Sequence, residues 1–179
     1  IYQAIKNMRF EKGNILEPSC GVGNFLGLLP NELGQSKLYG VELDSISAKI
    51  AEQLYQKANI QVTGYENSNL QDSFFDVAVG NVPFGSFKVS DRKYDKNNFI
   101  HDYFFAKTLD KVRPGGIIAF ITSKGTMDKD NIEVRKYIAQ RADLLGAIRL
   151  PDNTFTDNAG TKVTSDIIFL QKRENMTDI

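Results

Sequence analysis

The stretch E-P-S-C-G-V-G-N-F, Glu17 to Phe25, decides how the rest of the chain is read. It follows the run N-I-L at Asn14 to Leu16 and leads into a segment of helical pattern, so Gly21 and Gly23 fall in a strand-to-helix turn. Glycines there let the backbone bend tightly and approach a ligand at the helix N-terminus. A dinucleotide fingerprint needs a third glycine three residues after the second, and Leu26 stands at that position, which weakens a nicotinamide reading. Glu17, at the strand end ahead of Pro18, places a carboxylate where it can meet the ammonium of an amino-acid-like ligand. An ordinary turn with an exposed acid is the alternative. Cys20 inside the loop reads as small packing, with a reactive thiol as the other possibility.

Outward from this loop, short apolar or β-branched runs alternate with longer segments of helical period, the pattern of βαβ units and a mainly parallel sheet. The strands expected are N-I-L-E ending at Glu17, L-Y-G-V-E-L ending near Leu43, I-Q-V-T-G ending near Gly64, F-F-D-V-A-V-G ending at Gly80, and I-I-A-F-I-T-S after Gly115 and Gly116. Helices are expected from Asn24 to Leu29, and over Ser45 to Lys57 with Ser45 as N-cap and Ile46, Ile50 and Leu54 along one face. Another should run from Asn98 to Val112, stopped by Pro114, Gly115 and Gly116, and a further one from Asn131 to Gln140. The last two apolar runs, L-L-G-A-I-R-L and V-T-S-D-I-I-F-L-Q, are joined by P-D-N-T-F-T-D-N-A-G-T-K, which predicts an antiparallel hairpin at the sheet edge.

The chain has 179 residues, 41% hydrophobic and 25% charged, enough for one globular domain with a real core. Mean hydropathy of −0.31 and the lack of a long apolar run exclude a helical membrane span. One cysteine cannot form an internal disulfide, and no charged-then-apolar leader opens the chain, so a reducing cytoplasmic setting is expected. Lys and Arg total 22, as do Asp and Glu, so any grip on nucleic acid must be local or supplied by other segments. The chain starts at Ile1 inside an apparent helix and ends in a charged tail after Lys172. Residues 1–179 are accordingly expected to be a single domain taken from a longer protein.

Glu42 closes the second strand 19 residues after Gly23, where a carboxylate can accept hydrogen bonds from both hydroxyls of a ribose. Together with the first loop it argues for a nucleoside-containing cofactor. A solvated strand-end acid is the alternative, and for Asp44 that reading, or a helix cap, is preferred. Glu66 or Asn67, beside Tyr65 after the third strand, could receive an adenine amino group, although G-Y-E-N-S-N also suits a polar surface loop.

The fourth strand ends in G-N-V-P-F-G, Gly80 to Gly85. An exocyclic amino group on a nucleobase is a poor nucleophile because its lone pair is delocalised into the ring. If the Asn81 side-chain oxygen and the Val82 carbonyl each accept one amino N–H, the nitrogen is favoured toward a tetrahedral geometry with its lone pair aimed at a sulfonium methyl. Pro83 stiffens the turn, and Phe84 offers a face on which a flipped-out base can stack. No metal or covalent intermediate is required. Asn-x-Pro is also common turn chemistry, but the first and fourth strands are the pair expected to flank the switch point where ligands bind in open α/β sheets. Lys88, Arg92, Lys93 and Lys96 with Tyr94 could touch phosphates, yet Asp91 and Asp95 dilute them and a solvated loop is expected. His101 is the only histidine and is read as structural, at a helix N-terminus.

These residues resemble the gamma-type amino methyltransferases, the N-6 DNA methylase family, whose order is the glycine-rich loop, an acid after the second strand, then N-P-P-[FY]. The resemblance runs from about Asn14 to Lys172 and takes in R-P-G-G-I-I-A-F-I at Arg113 to Ile121 and the I-R-L-P…F…T-S-D-I-I-F-L end. N-V-P-F with H-D-Y-F-F-A-K is most similar to methylase modules fused to large helicase-like proteins of bacterial plasmids and mobile elements. It implies a Rossmann-like, seven-stranded, mostly parallel methyltransferase sheet with a C-terminal antiparallel hairpin. It further implies S-adenosylmethionine as cofactor, held by Glu17, Pro18, Cys20, Gly21, Gly23, Glu42, Leu43 and Glu66, with Asn81, Val82, Pro83 and Phe84 at the base. The implied activity is methylation of the adenine N6 amino group in DNA, with helicase-like or target-recognition segments in the same longer chain and no membrane partner. Cytosine presents an equivalent amino group, and the choice of adenine comes from the resemblance. Methylation of RNA or of a protein glutamine, and a non-catalytic cofactor-binding role in a helicase-like protein, are the competing readings. Two features depart from the family: Val82 replaces the usual first proline, and no F-x-T-P precedes the first strand.

Overall fold

The computed structural model describes residues 1–85, 88–94, 99–155 and 164–179. The strands are β1 (Asn14–Glu17), β2 (Lys37–Glu42), β3 (Asn59–Val62), β4 (Phe75–Asn81), β5 (Val112–Ser123), β6 (Ala142–Arg149) and β7 (Ser165–Lys172). They form one seven-stranded sheet in the order β3-β2-β1-β4-β5-β7-β6. The pairings among β1 to β5 are parallel, whereas β7 runs antiparallel to both β5 and β6. The expected C-terminal hairpin is therefore present, with β7 inserted between β5 and β6. Chain order reverses between β1 and β4, which opens a crevice at their carboxyl ends.

The helices are α1 (Tyr2–Asn7), α2 (Asn24–Gly27), α3 (Ser45–Leu54), α4 (Ile100–Lys111), α5 (Gly125–Asp128) and α6 (Glu133–Arg141), with 3-10 turns at Asn31–Leu33 and Tyr65–Asn67. Alternation along the strands sends successive side chains to opposite faces of the sheet. Leu16, Ala78, Ile118, Phe120, Ile168 and Leu170 join the core beneath α4 and α6, while Ile15, Val77, Val79, Ile117, Ala119 and Phe169 join the core beneath α1. Both faces of the central strands are thus covered, as a parallel sheet requires. Helix α4 is buried from Ile100 to Leu109, and its Phe105 meets Phe120 of β5 edge to face at 5.2 Å.

Several local expectations are corrected. The N-cap of α3 is Asp44, whose carboxylate accepts the Ser47 amide at 2.8 Å; Ser45 already has its place in the helix. The buried side of that helix is Ala48 and Ala51, both fully enclosed, while Ile46, Ile50 and Leu54 are exposed. Small residues let the helix axis approach β2 and β3 closely, and that approach outweighs the larger apolar stripe. Strands β2 and β3 stop at Glu42 and Val62, earlier than the apolar runs suggested, and the first helix after β1 is a single turn. Helix α4 begins at Ile100 and ends at Lys111, before the proline and glycines. Val112 already pairs with Phe75, and Arg113 to Gly116 bulge out before pairing resumes at Val77 and Ile117, with Gly115 at φ +76. Helix α6 starts at Glu133 rather than at Asn131. Asp95 and Lys96 of the basic loop, Asn98, and residues 156–162 of the hairpin connection lie outside the described residues.

The Asp44 cap is testable. Asp44→Ala is expected to lower the thermal midpoint by roughly 3 °C at neutral pH, measured by calorimetry. The hydrogen bond from Ser47 holds the Asp44 carboxyl below the usual carboxylate range. The stabilisation is therefore present at neutral pH and shrinks as pH falls through that depressed value.

Candidate functional site

The crevice between β1 and β4 is built from the loop after β1, the end of β2, the 3-10 turn Tyr65–Asn67, the tip of β4 and the start of α4. Gly21 and Gly23 both occupy the left-handed region, at φ +52 and +89. At Gly23 a Cβ would also strike the Tyr55 ring at 2.4 Å, so glycine is required there on two counts. The Gly21 amide donates to Glu42 Oε2 at 2.7 Å, and the Asp44 amide donates to Oε1 of the same carboxylate at 2.8 Å. Glu42 thus braces the loop to the end of β2. A carboxylate offers about four acceptor positions, so two remain.

Glu17 is 2% exposed, and its Oε2 has no hydrogen-bond partner among the described residues. Burial pushes its carboxyl up to about 9, opposed by the Leu26 and Phe25 amides at the start of α2, with Glu42 adding to the upward shift. The alternative of an ordinary turn with an exposed acid does not hold: Glu17 is buried and carries an unsatisfied oxygen. Cys20 is also buried; its amide donates to the Val41 carbonyl at 2.9 Å, and burial with the nearby Glu17 and Glu42 raises its thiol to about 12. Thiol-disulfide reagents at pH 8 are expected to label Cys20 only in denaturant; rapid stoichiometric labelling of the folded protein would contradict this placement.

A cavity of about 580 Å3 lies alongside, bordered by Pro18, Glu42, Leu43, Tyr65, Glu66, Asn67, Pro83 and Lys88 among the residues singled out in the sequence. Glu17, Cys20, Gly21 and Gly23 do not line it, nor do Asn81, Val82 and Phe84. They lie next to it instead. A Cβ built on Gly80 would sit 3.7 Å from Glu17 Cγ and from Pro18 Cδ, which puts the residue before Asn81 against the first loop. Asn81 is exposed at the end of β4, and the Val82 amide donates to the Ile121 carbonyl at 3.0 Å, holding the turn to β5. The Val82 side chain is buried, and Phe84 is half-buried against the same core. Pro83 borders the cavity, so the N-V-P-F turn reaches the pocket through that residue.

Ile100 and Phe104 of α4 and Ser19 also line the cavity, and none was singled out from the sequence. The aromatic run Y-F-F at Tyr103 to Phe105 was the available signal. It lies within the expected helix but does not show which turn meets the pocket. Val89 and Ser90 line it from the segment after the N-V-P-F turn. His101 is buried at the second position of α4, stacked on Phe99 with ring centroids 5.8 Å apart, and its neighbour Asp102 is ion-paired with Lys129. That agrees with a structural role.

The family model described as N-6 DNA Methylase matches residues 3–179. The chain is 32% identical over 179 residues to the Defense against restriction protein B of Escherichia phage P1, covering 96% of this chain and 8% of that protein. It is 24% identical over 160 residues to the modification methylase CviBIII of a Paramecium bursaria Chlorella virus, covering 87% of this chain and 42% of the methylase. The chain therefore spans less than half the length of these two relatives. Among solved structures, a modification subunit ascribed to a type I restriction enzyme of Vibrio vulnificus superposes with a TM-score of 0.80 at 19% identity, covering 98% of this chain and 43% of that one. An S-adenosylmethionine-dependent methyltransferase of Methanosarcina mazei superposes with a TM-score of 0.68 at 17% identity, covering 97% and 98%.

Proposed function

The chain belongs to the N-6 DNA methylase family, and from that membership we propose that it methylates the exocyclic N6 amino group of adenine in DNA, using S-adenosylmethionine. The observation that carries the reading is the meeting, at one switch point, of a buried unsatisfied carboxylate oxygen, a braced second acid and the N-V-P-F turn. The cavity volume of about 580 Å3 suits a ligand of nucleoside size. Glu17 Oε2 supplies the acceptor that an ammonium needs, and the remaining lone pairs of Glu42 suit ribose hydroxyls. Leu43, Pro18 and Tyr65 offer apolar surface, and Glu66 with Asn67 offers polar contacts for an adenine edge. Gly21, Gly23 and Cys20 shape the loop that keeps Glu17 and Glu42 in register.

When bound, S-adenosylmethionine supplies a methyl group on a positively charged sulfur. The chain's own task is to hold a nucleobase amino group beside it. The Asn81 side-chain oxygen and the Val82 carbonyl accept the two amino hydrogens, favouring a pyramidal nitrogen with an available lone pair. Phe84, partly exposed, presents a ring for stacking. With valine at position 82 in place of the family's proline the carbonyl acceptor is retained, and the valine N–H, which proline lacks, donates a hydrogen bond to the Ile121 carbonyl that restores some of the lost rigidity.

We further assign residues 1–179 to one catalytic domain of a longer cytoplasmic protein, whose other segments would engage DNA. The small share of the phage protein that the chain covers and the even balance of charge support this. Titration calorimetry with S-adenosylmethionine tests the reading: binding at one site per chain is expected, weakened at least tenfold by Glu42→Ala. A folded chain that binds no cofactor would remove it.

A further inference from the structure

Lys107 of α4 is buried in a shell of tyrosines. Its Nζ lies 5.2 Å from the Tyr65 ring centre, 5.7 Å from that of Tyr103 and 6.0 Å from that of Tyr94. The side chain is only 6% exposed. An ammonium in such surroundings is expensive unless paired, and a methionine would fill similar space without that cost. Its two hydrogen bonds are therefore informative. One goes to Asp91 Oδ2 and the other to the backbone carbonyl of Glu66, each at 3.1 Å.

These acceptors belong to two separate stretches bordering the cavity. Glu66 lies in the turn Tyr65–Asn67, and Asp91 follows Lys88, Val89 and Ser90, which line the cavity after the N-V-P-F turn. Further bonds gather the same segment onto α4: the Tyr103 hydroxyl donates to Asp91 at 3.0 Å, and the Tyr94 hydroxyl donates to Asp110 at 2.6 Å. Tyr65, in turn, shares a buried hydrogen bond of 2.9 Å with Thr108, one residue after the lysine. We propose that Lys107 is a positioning residue whose ammonium latches the 88–94 segment to the 65–67 turn and thereby sets the shape of the cofactor cavity. The latch stands on these contacts alone; its effect on cofactor affinity rests on the function proposed above.

Burial pushes the Lys107 ammonium toward deprotonation and Asp91 pulls it back, so the charge depends on its partner. Removing the charge from either side should release both stretches. Two backbone amides report on them: Tyr94, bonded to the Asp91 carbonyl at 2.9 Å, and Asn67, bonded to the Gly64 carbonyl at 3.0 Å. Hydrogen exchange at these amides is compared, without cofactor, in the wild type, Lys107→Met, Asp91→Asn and Ile5→Ala. Ile5 is fully buried in the core on the other face of the sheet, so its truncation controls for a general loss of stability.

Lys107→Met and Asp91→Asn should each speed exchange at Tyr94 and Asn67 at least tenfold beyond any change in Ile5→Ala. They should also weaken S-adenosylmethionine binding about tenfold, with Ile5→Ala near wild type. Should Lys107→Met fail to fold, Asp91→Asn decides alone, since it keeps the lysine and the size of the side chain while removing the negative charge that holds the ammonium. Exchange no faster than in Ile5→Ala would overturn the latch. Faster exchange with unchanged cofactor affinity would overturn its role in shaping the cavity. A wild-type chain that binds no cofactor would remove the proposed function, and the exchange comparison would still decide the latch.

Discussion

Asn81→Ala is expected to slow methyl transfer to DNA by about a thousandfold while leaving affinity for S-adenosylmethionine within about twofold of wild type. The separation follows from where the residue sits. Asn81 is exposed at the tip of β4 and is absent from the lining of the cavity, whereas its backbone is fixed by pairing with Ile121. Truncation removes one of the two acceptors for the amino hydrogens and disturbs neither the strand nor the pocket. Asn81→Asp keeps an acceptor oxygen and should recover part of the loss. Single-turnover transfer measured alongside calorimetry distinguishes the two quantities. Unchanged transfer in Asn81→Ala would remove this residue from the mechanism.

Glu17→Gln should have a large and quite different effect. With its carboxyl pushed up to about 9 by burial, Glu17 is protonated in the empty protein at neutral pH. An ammonium ligand needs the carboxylate, so binding at pH 7 should release about one proton. Affinity should rise with pH, by up to about tenfold per unit, until the ligand's α-amino group begins to lose its own proton near 8. Glu17→Gln should abolish the proton release and weaken binding about a hundredfold. Calorimetry in buffers of different ionisation heat reads both. The same substitution should stabilise the empty fold. Because the folded carboxyl titrates above the ordinary value of 4.5, its stabilising contribution is complete below that pH and is lost as pH rises toward about 9. Glutamine carries no such penalty and keeps an acceptor for the Phe25 and Leu26 amides, a gain of about 3 kcal/mol at pH 7. A variant that binds poorly yet melts higher would mark Glu17 as held in a costly state for function.

The order of strands was legible because apolar runs and turn residues punctuate the chain, and the glycine-rich loop with N-V-P-F located the crevice. What escaped was packing. Ile46, Ile50 and Leu54 have ideal helical spacing, yet two alanines face the sheet, since closeness of approach is a property of the partner surface. Arg113 to Gly116 read as a helix stop because a bulge within a strand carries the same residues as a turn. At the site, Glu17 and Glu42 were identified as acids, but only the fold buries the first and gives the second two backbone donors. Ile100, Phe104 and the Lys107 shell lay hidden because a helix buried on every side has no distinctive face in its sequence.

Tritiated S-adenosylmethionine offered with the protein to unmethylated DNA, to RNA and to protein in separate reactions tests the central claim most directly. The account predicts label in DNA, recovered after digestion as N6-methyladenine and lost in Asn81→Ala. Label confined to RNA or to a protein glutamine, or cofactor binding without any transfer to DNA, would contradict it.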